Sequence, residues 1–314
     1  MQKTESTRLS RDGRSPIHTV EWRPEGDVRA VVQISHGVAE YVNRYEPFAA
    51  YLTGHGFAVV GNDHLGHGES VAPGAPRLYF GPKGSWNTVV DDLYETRCRI
   101  GRDYPGVPCF LLGHSMGSFL ARTYLIRYPG TVDGAIVMGT GQQGPLLLLG
   151  GRLVAALEAL RIGADRISPL VQKLAFGAYN RPFAPNRTGS DWLSVDEDNV
   201  DRYISDPLCG GSASVGLFRE MLWGIGFITR PSNLRKMDPA TPIHFVSGAM
   251  DPVGDMGKGV RKAFESFRAA GMRQVTMHLY PEARHEILND CWRETVYDDL
   301  RLWLEEQLKG AAVS

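Results

Sequence analysis

Six short runs of apolar and β-branched residues recur along the chain: Ala30 to Ser35, Phe57 to Asn62, Cys109 to Leu112, Ala135 to Met138, Ile243 to Ser247 and Val275 to Tyr280. Most are apolar almost throughout, which marks strands buried on both faces of a parallel sheet. Helical periodicity fills the intervals at Tyr45 to His55, Thr88 to Tyr104, Met116 to Tyr128, Gly259 to Ala270 and Cys291 to Lys309. This alternation predicts an α/β fold, a mostly parallel central sheet flanked by helices. Ile17 to Trp22 is expected to add an antiparallel edge strand at the start.

The alternation stops between about Gly141 and Met237, where no strand pattern is clear and aromatic residues such as Phe176, Tyr179, Trp192 and Tyr203 accumulate. Connections in α/β units run about 2–6 residues, so this stretch reads as an inserted, mainly helical cap. The expected division is a core at 1–141 and 237–314 with the cap at 142–236. The insertion follows a strand directly. Open parallel sheets bind ligands at the carboxyl ends of their strands, so the cap should roof the ligand site. Within it, Leu153, Leu157 and Leu160 are spaced four and three apart and share one helical face. Leu153 and Leu157 are therefore expected to line the mouth of an acyl-chain site. The uninterrupted apolar part falls far short of the roughly 20 residues that span a bilayer. Few Lys or Arg accompany it, which favours a buried or cap helix over one lying on lipid.

Composition narrows the classes. Of 314 residues, 43% are hydrophobic and 22% charged, and the formal net charge is −1. Those values exclude a disordered, collagenous or disulfide-scaffold chain, and no basic cluster invites nucleic acid. The four cysteines Cys98, Cys109, Cys209 and Cys291 lack CxxC spacing, so neither a metal site nor a disulfide framework is expected. The first 30 residues are polar and contain no secretory apolar stretch. Reduced thiols and a cytoplasmic location are the expectation.

Gly113-His114-Ser115-Met116-Gly117 carries the chemistry. A Gly-x-Ser-x-Gly alone is weak, but here a strand precedes it and a helix follows. A sharp strand-to-helix turn holds the serine in a strained conformation at the sheet edge, with glycines where side chains would collide. The helix N-terminus aims free N–H groups at the same place. A serine hydroxyl needs a base, and the base needs an orienting acid. In this architecture the chain order is serine, acid, histidine. His244 and His278 sit inside predicted strands, whereas His285 follows the last strand in a loop, so His285 is the base by elimination and position. Asp251 follows the strand Ile243 to Ser247 through Gly248-Ala249-Met250. Asp255 is the alternative acid, in a setting closer to a turn or helix cap. The turn after the first long strand, His36-Gly37, can offer the Val38 amide, and the elbow offers that of Met116. Together they form an oxyanion hole, and Gly37 permits close backbone approach.

His36-Gly37-Val38-Ala39-Glu40-Tyr41-Val42-Asn43-Arg44-Tyr45 resembles the HGxxEHxxRY stretch of the monoacylglycerol lipase and lysophospholipase group of α/β-hydrolases, which is serine aminopeptidase S33-like. The turn from Asp63 to Ser70, the GHSMG elbow, the SGAMD acid loop and the EARHE histidine loop resemble that group in order and spacing. The resemblance covers both core segments and is poor across the insertion. It implies an α/β-hydrolase fold and the same oxyanion pair, Val38 and Met116. It also places Glu40 and Arg44 near the glycerol end of the site, or in a structural ion pair. Tyr41 stands where a histidine is common, Ser118 replaces a frequent glycine, and Pro252 follows the acid where a basic residue is common.

These readings converge on a serine hydrolase of acyl-chain carboxylic esters, with monoacylglycerol as the expected substrate and no metal or cofactor. A lysophospholipase or amide hydrolase with the same triad, or a silent ligand-binding relative, are the alternatives. A small lipid or ester is the expected partner, and transient contact of the cap with a membrane surface stays open.

Overall fold

A computed structural model describes residues 1–311. The chain opens with strands β1 (Gln2–Leu9), β2 (Pro16–Arg23) and β3 (Ala30–Ser35). Helices and strands then alternate through α1 (Glu46–Thr53), β4 (Phe57–Asn62), α2 (Ser85–Asp103), β5 (Cys109–His114), α3 (Met116–Arg127) and β6 (Gly134–Met138). Five helices intervene before the next strand: α4 (Pro145–Ile162), α5 (Pro169–Phe176), α6 (Glu197–Ser205), α7 (Val215–Ile228) and α8 (Pro231–Leu234). The chain ends with β7 (Ile243–Gly248), α9 (Lys258–Ala269), β8 (Val275–Tyr280) and α10 (Arg293–Ala311).

The strands form one sheet in the order β1-β2-β4-β3-β5-β6-β7-β8. β1 and β2 run antiparallel to their neighbours, and the pairs from β4–β3 to β7–β8 are parallel. Side chains alternate between faces along each strand. Leu111, Val137 and Phe245 join one core with residues of α2, α3 and α9. Their neighbours Phe110, Leu112, Ile136 and Val246 join a second core with residues of α1 and α10. Both faces are covered, which explains the near-continuous apolar strands.

The hydrophobic pattern misses β1. Its sequence, QKTESTRL, is mostly exposed, so it lacks apolar alternation. It is held by its ladder to β2 and by Arg8, which donates to the Asp92 carboxylate at 2.9 Å and the Asp92 carbonyl at 2.6 Å on α2.

Register aligns the chemistry. Ser35 pairs with Gly113, His114 with Met138, and Met138 with Val246. The loops after β3, β5, β7 and β8 therefore emerge along one carboxyl edge, beneath the helices that separate β6 from β7.

Candidate active site

Ser115 sits between β5 and α3 at φ 54°, ψ −122°, a left-handed backbone that a serine adopts only under constraint. The constraint is close packing. A Cβ on Gly117 would lie 1.9 Å from the Ser35 carbonyl oxygen, and one on Gly113 would lie 2.4 Å from the Gly117 carbonyl oxygen. The start of α3 can thus press against the end of β3, bringing the Ser115 and Gly37 loops together. A Cβ on Gly37 would stand 3.1 Å from that of Ser115.

His285 Nδ1 donates to Asp251 Oδ2 at 2.9 Å. Asp251 is buried and also accepts from Ser247 Oγ at 3.2 Å and the Val253 amide at 2.9 Å. Its carboxylate is thereby fixed, and the imidazole bond leaves His285 Nε2 available. Asp255 lies in a turn at φ 50° and makes no bond to His285. Ser115 and His285 line one cavity of about 220 Å³, together with Gly37, Val38 and Met116. Met116 opens α3, so its N–H has no acceptor within the helix.

Behind the Val38 loop stand three buried histidines. His36 Nδ1 donates to the Gly37 carbonyl at 2.7 Å, and its Nε2 accepts from the His64 amide at 2.9 Å. His67 packs on the His36 ring with centroids 5.3 Å apart. Burial lowers all three and takes His67 to about 3, so they are neutral supports for the loop rather than bases.

Glu40 and Arg44 belong to a buried charge network at the polar end of the cavity. Glu40 Oε1 accepts from the Gly37 amide at 2.5 Å and Tyr45 Oη at 3.0 Å, while Arg44 reaches its other oxygen at 3.0 Å. Arg44 also grips Glu286 with two bonds of 2.6 and 2.8 Å and lies over the Tyr203 ring. Asn199 of α6 donates to Glu286 at 2.9 Å. Burial alone would raise both carboxyls. The His114 bond and charge and the Arg44 charge outweigh it for Glu40, and Arg44 does so for Glu286, so both lie below the usual carboxylate range.

Leu153 and Leu157 are placed differently from the expectation. They are 60% and 56% exposed and line neither cavity beside Ser115. The lining residues of α4 are instead Leu146, Leu147, Leu148, Gly150, Gly151 and Val154, which border an apolar cavity of about 760 Å³. The two cavities share Gln143, Phe176, Tyr179, Met221, Ile225 and Val253 as walls. The helix is apolar on nearly every side, so the Leu153–Leu157 spacing identifies a face without saying which way it points. The inward face is chosen by packing on α7, where Arg152 donates to the Leu222 and Trp223 carbonyls.

Several lining residues carry no chain-level motif. Trp192 packs on His285 with ring centroids 5.1 Å apart, Tyr179 packs on Trp192, and Phe176 joins them. Their only sequence signal is the density of aromatics in the insertion. His114 and Glu286, which adjoin Ser115 and His285 in the chain, were also not identified as site residues. Ser115, the Asp251-bound His285, Val38 and Met116 thus line one cavity, the kinds of group that nucleophilic acyl transfer uses.

Comparison with known proteins gives the family. The model of the serine aminopeptidase S33 hydrolase family matches residues 26–291. Human monoglyceride lipase is 27% identical over 297 residues, spanning 93% of this chain and 88% of that one. Monoacylglycerol lipase of Mycolicibacterium smegmatis is 27% identical over 288 residues, 91% and 92% of the two chains. A thermostable carboxyl esterase from Bacillus coagulans, solved in complex with glycerol, superposes with a TM-score of 0.91 at 26% identity, covering 98% and 99%. The soluble variant of monoglyceride lipase from Saccharomyces cerevisiae shares the fold, with a TM-score of 0.76 over 98% of this chain and 96% of that one at 18% identity. With the family model spanning the elbow, the acid loop and the histidine loop, the chain belongs to the serine aminopeptidase S33 family of α/β-hydrolases.

Proposed function

We propose that the protein hydrolyses carboxylic esters of acyl chains that carry a small neutral head, monoacylglycerol foremost, with Ser115, His285 and Asp251 as its triad. His285 takes the Ser115 proton as the hydroxyl attacks the ester carbonyl. The Val38 and Met116 amides hold the oxyanion. His285 returns the proton to the departing alcohol, and water then releases the fatty acid along the same route. Asp251 holds the tautomer and stabilises the imidazolium.

The observation that carries the substrate class is the pair of adjoining cavities. The polar one, at Ser115, has no Lys or Arg among its described lining residues. A lysophospholipid phosphate would find no free cation there, since Arg44 is committed to Glu40 and Glu286. The amino terminus of a peptide would find no free carboxylate, since Glu40 and Glu286 are both paired. A neutral polyol can share their hydrogen bonds without displacing a charge. The apolar cavity then receives the acyl chain, each buried CH₂ contributing about 0.8 kcal/mol.

In this reading residues 142–236 are the cap, and the outer face of α4 is its lipid-facing side. Leu149, Leu153, Leu157 and Leu160 are exposed by 56% to 86%, an apolar face of the kind that meets a membrane surface. Among the described residues no helix is long and apolar enough to cross a membrane, so such contact would be peripheral.

The test is a substrate panel of monoacylglycerols, lysophosphatidylcholine and aminoacyl amides at matched chain length, with fluorophosphonate labelling of Ser115. Monoacylglycerol should show the highest kcat/KM, rising with chain length. Equal or faster turnover of the phospholipid or the amide would overturn the head-group assignment.

A further inference from the structure

His114, the residue before the nucleophile, faces two acceptors. Its Nδ1 lies 3.2 Å from Glu40 Oε1, and its Nε2 lies 3.2 Å from the main-chain carbonyl oxygen of His285. A neutral imidazole carries one N–H and can satisfy only one of them. Glu40 cannot readily supply the missing proton, because Oε1 already accepts from the Gly37 amide and Tyr45 Oη, and Arg44 binds the other oxygen. His114 is 5% exposed, so both bonds are largely shielded from bulk solvent.

We propose that His114 is held as an imidazolium, a positioning residue that clamps the His285 main-chain carbonyl to Glu40 and so fixes the histidine loop against the elbow.

The groups around it support that charge state. Glu40 and Arg44 approach from the loop after β3, His36 from the end of that strand, Tyr45 from the turn before α1, and His285 and Glu286 from the loop after β8. Burial disfavours the charged ring, but the Glu40 bond and charge, with Glu286 behind, outweigh it and raise His114 above an ordinary histidine. Two carboxylates, Glu40 and Glu286, then balance two cations, Arg44 and His114. The His114 ring also lies against that of His285, with centroids 4.7 Å apart. Asp251 sets the direction of the His285 ring from its Nδ1 side, while His114 holds the backbone from which the ring projects. Losing the clamp frees the loop to shift, and a displacement of about 1 Å at a reacting group can cost about a hundredfold in rate.

The sign with pH follows. A group whose pKa is raised on folding contributes its stabilisation fully at low pH and loses it as pH rises through the raised value. The clamp therefore weakens on the alkaline side.

The inference rests on the triad reading for its kinetic arm but not for its spectroscopic one. Nitrogen-15 histidine NMR of the whole protein should show His114 protonated at both ring nitrogens near neutral pH and losing the second proton only above the ordinary histidine value, and Glu40→Gln should abolish that signature. His114→Gln, which can bond only one acceptor at a time, should lower kcat at least about tenfold with KM changed less than twofold, and should remove an alkaline limb from the kcat profile. Its Ser115 should label with fluorophosphonate correspondingly more slowly than in the wild type. A His114 that loses its second proton at or below the ordinary histidine value would overturn the charge assignment. Wild-type kcat and labelling rate in His114→Gln would overturn the positioning role. No labelling of wild-type Ser115 would instead overturn the triad. If His114→Gln does not fold, Glu40→Gln supplies both measurements.

Discussion

Residues in this site act in groups, and their substitutions should show it. Ser115→Ala should abolish esterase activity and fluorophosphonate labelling with the thermal transition retained. His285→Ala should cost as much, because nucleophile and base work as one unit. Asp251→Asn should lower kcat by about 10⁴ through the wrong imidazole tautomer. If Asp255→Asn is the crippled variant instead, the acid has been assigned to the wrong turn. The second group is the charge network. Removing one partner of a buried ion pair costs about 3–5 kcal/mol, so Arg44→Ala should lose that much in urea unfolding near neutral pH. The pH dependence has a definite sign. Glu40 and Glu286 are depressed in the fold, so their stabilisation is present above the ordinary carboxyl value of about 4.3 and is lost as pH falls through the depressed values. The gap between wild type and Arg44→Ala should therefore be widest near neutrality and narrow below about pH 4. A gap independent of pH would mean that packing rather than charge is lost.

Elements carry the next level. The elbow exists because α3 begins within backbone contact of β3, and Gly117→Ala would place a Cβ 1.9 Å from the Ser35 oxygen and 2.6 Å from the His36 oxygen. Both atoms are backbone and cannot swing aside. The expected outcome is a loss above about 4 kcal/mol or no soluble protein at all, measured by denaturant unfolding. Helix α4 presents two apolar faces with different fates. Paired Leu153→Asp and Leu157→Asp changes alter the exposed face, so short-ester turnover and thermal stability should stay near wild type. Sedimentation with neutral phospholipid vesicles should drop. Unchanged vesicle binding would remove the lipid-facing role of that side.

At the scale of the whole molecule, the segment between β6 and β7 meets the rest of the fold at the histidine loop. Arg284 donates to the Asp191 and Ser194 carbonyls, the Glu286 amide donates to Leu193, and Asp290 accepts from the Val195 amide. Helices α4 and α5 border the adjoining apolar cavity. In the proposed reading, the reaction chemistry is anchored where the cap meets the histidine loop and the acyl chain takes the apolar cavity. Val154→Trp should fill part of that space and move the optimum of a nitrophenyl ester series toward shorter chains. Acetate ester turnover is the internal control. A uniform fall at every length would place the chain elsewhere.

The strands, their parallel order of appearance and the insertion point were legible in the sequence because each depends on local periodicity. A strand buried on both faces must be apolar along its length, and a connection too long for a loop must fold on its own. The elbow serine, the acid turn and the histidine loop were legible for the same reason: each is a short segment at the end of a recognisable strand. Strand β1 was not, because an exposed edge strand has no apolar face to display. The inward side of α4 was not, because a helix apolar on nearly every side reveals its orientation only through what packs against it. The Glu40–Arg44 pair, four residues apart, was offered by the sequence, but its extension to His114, Glu286 and Asn199, up to 246 residues away in the chain, was not. Tertiary structure alone decides such contacts, since bringing together polar groups from two loops, a strand end and a helix depends on the register of the entire sheet and the seating of the inserted helices.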